Sequence, residues 1–330
     1  MIIGAYIFAN TLTEWDDPIL ELQRLKDYGV NTIFCEADAY PKDIIDHAHE
    51  LEMRFMGGLT CFHNNDVVKQ TPAYHPITAD GQPRPQINWY LGITPTHRPY
   101  QQQRLQALDH MLSTYQLDGV WLDFIRWPMH WEVELRDDTM PPLETSFDTH
   151  TLNQFADWSG LSLLDQPNAQ IADWILEHYR DTWADFKCDV ITNFVSEVRT
   201  IQTKYAGDHP LGINIVPADS TQRRGFLGQD VQALSPHVDV FSPMVYHHIL
   251  GRDVNWIRDT LNQIVDETDK PLIPFVQVQN LTRDDNFSSS EWEQVIQTVY
   301  DHPQTNGLIA FTGTQLHQNQ RGETLSNYLK

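Results

Sequence analysis

The chain has 330 residues, with 45 Asp plus Glu against 22 Lys plus Arg, a formal charge of −23 with histidines neutral. A polyanion binder needs a basic patch to displace counterions from phosphates, and seven lysines scattered without a cluster do not make one, so the balance argues against nucleic acid and equally against an anionic membrane surface. Hydrophobic residues at 41% and charged residues at 20% describe a globular chain able to bury a large core, not a disordered one.

Met1 to Asn10 (MIIGAYIFAN) has no basic n-region and no small-residue cleavage site, so it reads as a first strand and not as a signal peptide. No apolar run approaches the roughly 18 residues of a membrane span. The expectation is a cytoplasmic protein, although a chain trimmed of a secretory leader would read the same way. Cys35, Cys61 and Cys188 are widely spaced without a CxxC, so neither a disulfide framework nor a zinc knuckle is implied, and no cofactor or metal is expected.

In chain order, strand candidates fall near residues 2–9, 31–38, 54–62, 118–126, 210–217, 238–247, 272–279 and 307–313. Runs such as VDVFSPMVY and GLIAFTG are continuously apolar, as strands of a parallel sheet covered on both faces must be. Helical patterns separate them. Asp17-Pro18 opens one with Leu22, Leu25 and Tyr28 on a single face and Gly29 at its close; Leu105, Leu108, Leu112 and Tyr115 repeat the spacing within 98–115. A long stripe from Trp174 and Trp183 through Phe186, Val190, Phe194, Val198 and Ile201 predicts one helix over about 171–205. Eight strands each followed by a helical stretch predict an α/β fold, a (β/α)8 TIM barrel spanning 1–330 as one catalytic domain. The rival is a doubly wound sheet, but Gly4 stands alone where a Gly-rich fingerprint would follow the first strand. Segments 63–97 and 127–170, after strands three and four, are too long for simple connections and fall on the face where barrels build their sites.

The fourth strand, DGVWLDFIRWPMHWE from Asp118 to Glu132, carries the sharpest signal. Asp118 with Gly119 starts the strand and reads as a structural turn. Asp123, near its exit, is an acid in an apolar strand, costly to bury unless it is used or paired, so it reads as catalytic, with an Arg126 salt bridge as the bland alternative. Trp127, His130, Trp131 and Glu132 follow. Aromatics beside acids suit sugars, whose apolar ring faces stack while hydroxyls seek carboxylates; loop packing explains such tryptophans equally well. Strand two ends in Glu36 and Asp38, strand three in Cys61-Phe62-His63, strand five in Asn214 through Asp219, strand six in Tyr246-His247-His248, strand seven in Gln277 and Gln279, and strand eight in Thr312-Gly313-Thr314. Any one could be a satisfied core group; together they mark one rim. The rim lacks the HxH pair of a metal-dependent amidohydrolase after strand one, where Phe8-Ala9-Asn10 stands, and no lysine falls at a strand end for a Schiff base.

The stretch DGVWLDFIRWPMHWE, with the helix before it, the SFDTHTLNQFADWSGL segment after it and DVFSPMVYHH later, resembles glycoside hydrolase barrels whose fourth strand reads DGxxLDFxRxP. The resemblance covers roughly 1–315. It implies a carbohydrate substrate and makes Asp123 the catalytic acid of the pattern. Relatives often carry Cys pairs after strand four, where this chain has Phe147-Asp148-Thr149-His150.

The expected mechanism uses two carboxyl groups flanking the scissile bond. Asp123 is the ionised one, held so by Arg126 and a rim of donors. Glu132, on the long loop beside Trp127 and Trp131, is the expected acid, with Glu36, Asp38 and Asp219 as alternatives. Arg126, Trp127, Trp131, His63, Tyr246, His247 and Gln277 are expected to bind sugar or orient Asp123. The acidic surface favours neutral or cationic glycans over polyuronates unless a local arginine pocket reverses this. Two other classes stay open: a non-catalytic carbohydrate-binding barrel, and a metal-dependent hydrolase or lyase using His63, His247 and an acid as ligands.

Overall fold

The structure, a computed structural model, describes residues 1–136, 142–205, 208–279 and 288–329. Among these residues the apolar runs pair in chain order as β1 (Ile2–Tyr6), β2 (Thr32–Glu36), β3 (Arg54–Thr60), β4 (Gly119–Asp123), β5 (Leu211–Ile215), β6 (Val240–Val245), β7 (Phe275–Gln277) and β8 (Gly307–Phe311), and β8 returns to β1 to close the barrel. Every pairing is parallel, and helices lie between the strands, the arrangement of a (β/α)8 TIM barrel. No helix among the described residues is long and apolar enough to cross a membrane.

Alternation along each strand divides the core in two. Ile3, Ala5, Ile33, Cys35, Phe55, Leu59, Val120 and Leu122 point outward into the layer shared with the helices. Ile2, Phe34, Met56, Trp121, Val240, Met244, Phe275 and Ile309 point inward and fill the barrel. Two large rings dominate this interior, Phe34 and Trp121, packed edge to face at 4.9 Å. They fit because the strand beside Trp121 presents no side chain there: a Cβ on Gly212 would lie 2.1 Å from the Trp121 ring. The Trp121 indole N–H donates to Ser242 Oγ at 2.8 Å, so its one polar atom is satisfied.

The strands are shorter than their apolar runs, and in β4 and β7 the cause is visible. β4 stops at Asp123 because Phe124 takes φ 49, a left-handed turn that ends the ladder. In the seventh run Pro274 cannot donate, leaving Leu272 in isolated bridges and only Phe275–Gln277 as strand. The expected 171–205 helix is two, Asn168–His178 and Arg180–Tyr205; Tyr179 leaves helical geometry at φ −136, so the aromatic stripe belongs to successive helices. Helix Pro18–Asp27 begins as read, with Asp17 accepting from the Leu20 N–H and Leu22 and Leu25 buried.

The long segments after β3 and β4 bind one another; of the second, residues 137–141 lie outside the described residues. Thr78 bridges to Thr145, the Phe147 N–H donates to the Ile77 carbonyl at 2.8 Å, and the Ile77 N–H donates to Ser146 Oγ at 2.9 Å. Arg84, from the first segment, is fully buried in an ion pair with Glu134 of the second and also donates to the Leu143 carbonyl at 3.1 Å. Glu134 in turn accepts the His130 N–H at 2.6 Å and the Leu143 N–H at 3.0 Å. Removing the cation from such a pair leaves a buried carboxylate uncompensated. Arg84→Ala is therefore expected to lower unfolding free energy by about 3–5 kcal/mol in denaturant titration; a loss below about 1 kcal/mol would mean that the pair is not what ties the two segments together.

Candidate active site

The inward-facing exits of β2, β3 and β4 meet at one point. Thr60 pairs in register with Asp123, and Glu36 pairs with Gly58, two residues before Thr60. Gly58 matters by what it lacks: a Cβ there would stand 2.9 Å from both Cα and Cβ of Glu36, so a side chain at this position would push the end of β2 away. Over this gap Glu36 reaches the Asp123 carboxyl in hydrogen-bond contact, while the Thr60 hydroxyl donates to Glu36 Oε1. Asp123 Oδ1 also accepts the Phe124 N–H at 2.7 Å, a bond that the left-handed turn at Phe124 accompanies.

Two carboxyls in contact cannot both ionise cheaply. Burial first, and then the Asp123 charge, push Glu36 up to about 8, while the Thr60 hydroxyl and Arg104 oppose the shift. At neutral pH the pair therefore holds a proton on Glu36. Glu132, in the short helix Trp131–Glu134, is also raised, by burial and then by Asp123, with Arg126 and Arg136 pulling the other way. Its Oε2 lies 4.0 Å from His130 Nδ1, too far for a hydrogen bond. Burial, with the charges of Asp123 and Glu132, holds the Tyr246 phenol well above the ordinary range, so it keeps its proton.

These groups line a cavity of about 640 Å³ at the C-terminal end of the strands, with Tyr6, Trp89, Tyr90, Phe124, Trp131, Tyr246 and Phe311 among its walls. Tyr246 stacks on Phe311 at 4.9 Å and faces Trp131 at 5.7 Å. His63 stacks on Phe124 at 4.5 Å and on Tyr90 at 5.1 Å. Trp89 at 48% exposure and Phe8 at 43% stand at the rim, large apolar rings left open to solvent beside a polar floor.

The structure thus brings together Asp123, Glu132, Glu36, Arg126, Trp131, His63 and Tyr246. The remaining candidates lie elsewhere. Asp38, 75% exposed and paired with Arg104 at 2.9 Å, falls beyond the end of β2 and borders a separate open hollow that shares Glu36 and His63. Asp219 caps the next turn by accepting the Gln222 N–H, beside a different groove. Trp127 is fully buried against Trp183 and Phe186, its indole N–H on the Lys187 carbonyl at 3.1 Å; the turn at Phe124 has carried it under helix Arg180–Tyr205. His247 follows Tyr246 and points away from the cavity, to Glu291 at 3.1 Å. Gln277 is buried, accepting the Ile249 N–H at 3.1 Å and donating to the Gln279 carbonyl at 3.0 Å, so it supports a loop. With His247 turned away from His63, those two do not converge on an ion, and no group of three or more His, Cys, Asp or Glu that could hold a metal occurs among the described residues.

Trp89, Tyr90, Phe124 and Phe8 were not foreseen as lining residues. Asn88-Trp89-Tyr90 in an otherwise polar segment was the available signal; Phe8 was counted as strand, and the role of Phe124 depends on a backbone turn that no residue type announces.

No family model matches the chain, and no curated protein matches it in sequence. Similar solved structures include the PgaB (BpsB) glycoside hydrolase domain from Bordetella bronchiseptica, at TM-score 0.72 and 13% identity, covering 99% of this chain and 98% of that one. A β-galactosidase from Marinomonas ef1 gives TM-score 0.65 at 11% identity, with 94% of this chain and 54% of that one covered. An α-L-fucosidase isoenzyme 2 from Paenibacillus thiaminolyticus gives 0.62 at 11%, with 99% and 48% covered. The chain thus spans about half the length of the galactosidase and fucosidase, whose likeness, like that of the first, is one of fold.

The carboxyl pair has a measurable consequence. Between the ordinary glutamate value of 4.5 and about 8, the folded protein holds a Glu36 proton that the unfolded chain has lost. Stability contributed by this group therefore falls as pH rises through that window, by up to about 1.4 kcal/mol per pH unit. His63 and His130, lowered to about 4 chiefly by burial, give the opposite slope, but mainly below their ordinary value of 6.5. From pH 6.5 to 8, Glu36→Gln is accordingly expected to flatten the stability decline seen by denaturant titration in the wild type; parallel wild-type and variant curves would show that Glu36 carries no retained proton.

Proposed function

We propose that the protein is a glycoside hydrolase acting on O-glycosyl bonds of an oligo- or polysaccharide. One observation carries the reading: a carboxyl pair, Glu36 with Asp123, and a third carboxyl, Glu132, share an aromatic-lined cavity at the C-terminal end of the barrel strands. The glycoside hydrolases among its structural neighbours favour the same class.

Asp123 is the working carboxylate. It faces the cavity at 19% exposure, and its Oδ1 is fixed by the Phe124 N–H with Arg126 Nη1 3.8 Å away. It attacks the anomeric carbon or takes the proton of an attacking water. Glu132 is the acid: burial raises it above the ordinary carboxylate value, the direction the role requires, and its carboxyl stays available to the leaving oxygen. Glu36 is a positioning residue, since its carboxyl is already engaged by Thr60 and Asp123. Its proton, donated toward Asp123, sets the orientation of that carboxylate. Tyr246, Trp131 and the exposed rings of Trp89 and Phe8 supply a phenol donor and stacking faces for the sugar units.

Incubation with a broad panel of oligo- and polysaccharides, reading released reducing ends and binding separately, tests this. Wild type is expected to cleave at least one glycan, Asp123→Asn to lose turnover by about 100-fold or more while still binding it, and Glu132→Gln to lose most activity on substrates with poor leaving groups. Binding by wild type and Asp123→Asn without cleavage by either would make the barrel a sugar-recognition protein instead.

A further inference from the structure

The wall of the cavity built by the exits of β3 and β4 differs in kind from its acidic floor. Arg126 and His130 are each 3% exposed, and His63 stands beside them. Arg126 Nε and Nη1, His63 Nε2 and His130 Nε2 are buried with no hydrogen-bond partner among the described residues. The guanidinium is held by its surroundings: its Cζ lies 4.8 Å from the Phe124 ring centroid and 5.6 Å from that of Tyr90. Its Nη1 is 3.8 Å from Asp123 Oδ1, close enough to feel the charge and too far to donate. A buried guanidinium with unused donors is costly to maintain, and the cost is offset when an acceptor occupies the site.

The chemistry of that acceptor is constrained. Burial and the nearby guanidinium hold both imidazoles neutral at pH 7, so Arg126 is the one permanent cation among the residues lining the cavity. A sugar hydroxyl placed here would bring a proton of its own, and the two carboxyls whose charge Arg126 feels, Asp123 and Glu132, are committed to the reaction. A carboxylate brings no proton and offers about four lone-pair sites, so it can accept from the unused Arg126 nitrogens and from an imidazole in its Nε2–H tautomer. A run of such groups is disfavoured. The chain carries −23, and the adjoining hollow presents Asp38 and Asp66, which would repel further acidic units.

Resting on the glycosidase reading, we infer that Arg126, His63 and His130 form a subsite for the carboxylate of a single acidic sugar unit, a uronic acid set in an otherwise neutral glycan. The same surface charge that disfavours a polyuronate is compatible with one carboxylate seated on one arginine.

The probes are the methyl glycosides of glucuronic, galacturonic and mannuronic acid, each beside its 6-amide and its neutral hexoside, in equilibrium binding to the wild type and to Arg126→Gln at pH 7. At least one acid is expected to bind tenfold or more tighter than its own amide, and Arg126→Gln to abolish that preference while circular dichroism shows the fold retained. Equal binding of acid and amide, no binding of any acid, or a preference that survives Arg126→Gln would overturn the assignment. If Arg126→Gln does not fold, the acid-against-amide comparison on the wild type decides alone. The two readings fail separately: a carboxylate preference with no hydrolysis of any glycan would sink the glycosidase and keep the subsite, whereas hydrolysis of neutral glycans without the preference would do the reverse.

Discussion

The contact between the Glu36 and Asp123 carboxyls sets the terms for the rest of this barrel. Two acids from β2 and β4 can meet across β3 only if the strand between them yields space, and Gly58 yields it. Nothing about the contact is favourable in itself, since both groups lose water and their charges repel. It persists because the barrel beneath is closed and filled, with Trp121 seated against Gly212 and hydrogen-bonded to Ser242, so that the strand ends have no freedom to separate. A retained proton resolves the remaining repulsion, and a proton held near neutral pH is a resource that acid–base chemistry uses.

A second constraint brings the third carboxyl into range. Phe124 turns the chain at the end of β4, and the segment that follows carries His130, Trp131 and Glu132 over the cavity. Where it covers the cavity that segment holds one short helix, Trp131–Glu134. Its position comes from the buried Arg84–Glu134 pair and from backbone bonds to the segment after β3. The floor of the site is thus built from strand ends and its lid from two long connections tied together, which separates rigid placement of Asp123 from the chemistry that surrounds it.

The fold was legible because a parallel barrel repeats one simple pattern, an apolar run followed by an amphipathic stretch, eight times. The closed order of strands follows from that repetition. Strand ends were read too long, since apolar residues continue past the point where Phe124 or Pro274 breaks the ladder, and one aromatic stripe covered two helices because its apolar residues resume at Trp183 just beyond the break at Tyr179. In the site, strand alternation made Asp123 readable as facing in, but it could not choose between Glu36 and Asp38, two residues apart on one face; Asp38 falls outside because β2 ends at Glu36. Trp127 and Trp131 look alike in sequence, yet one packs under a helix and the other faces the cavity, a difference set by a backbone turn. His247 and Gln277 found partners, Glu291 and the Ile249 N–H, that lie far along the chain and leave no local trace. The contact between Glu36 and Asp123 was likewise invisible, because it depends on what Gly58 lacks.

The most direct measurement of the central claim is a carbon-13 NMR titration of the glutamate side-chain carboxyls, with the Glu36 resonance assigned by its loss in Glu36→Gln. The account predicts a carboxyl titrating near pH 8 that moves down when Asp123 is replaced by Asn, as the neighbouring charge disappears. A Glu36 resonance titrating near the ordinary glutamate value of 4.5, or one indifferent to Asp123, would contradict it.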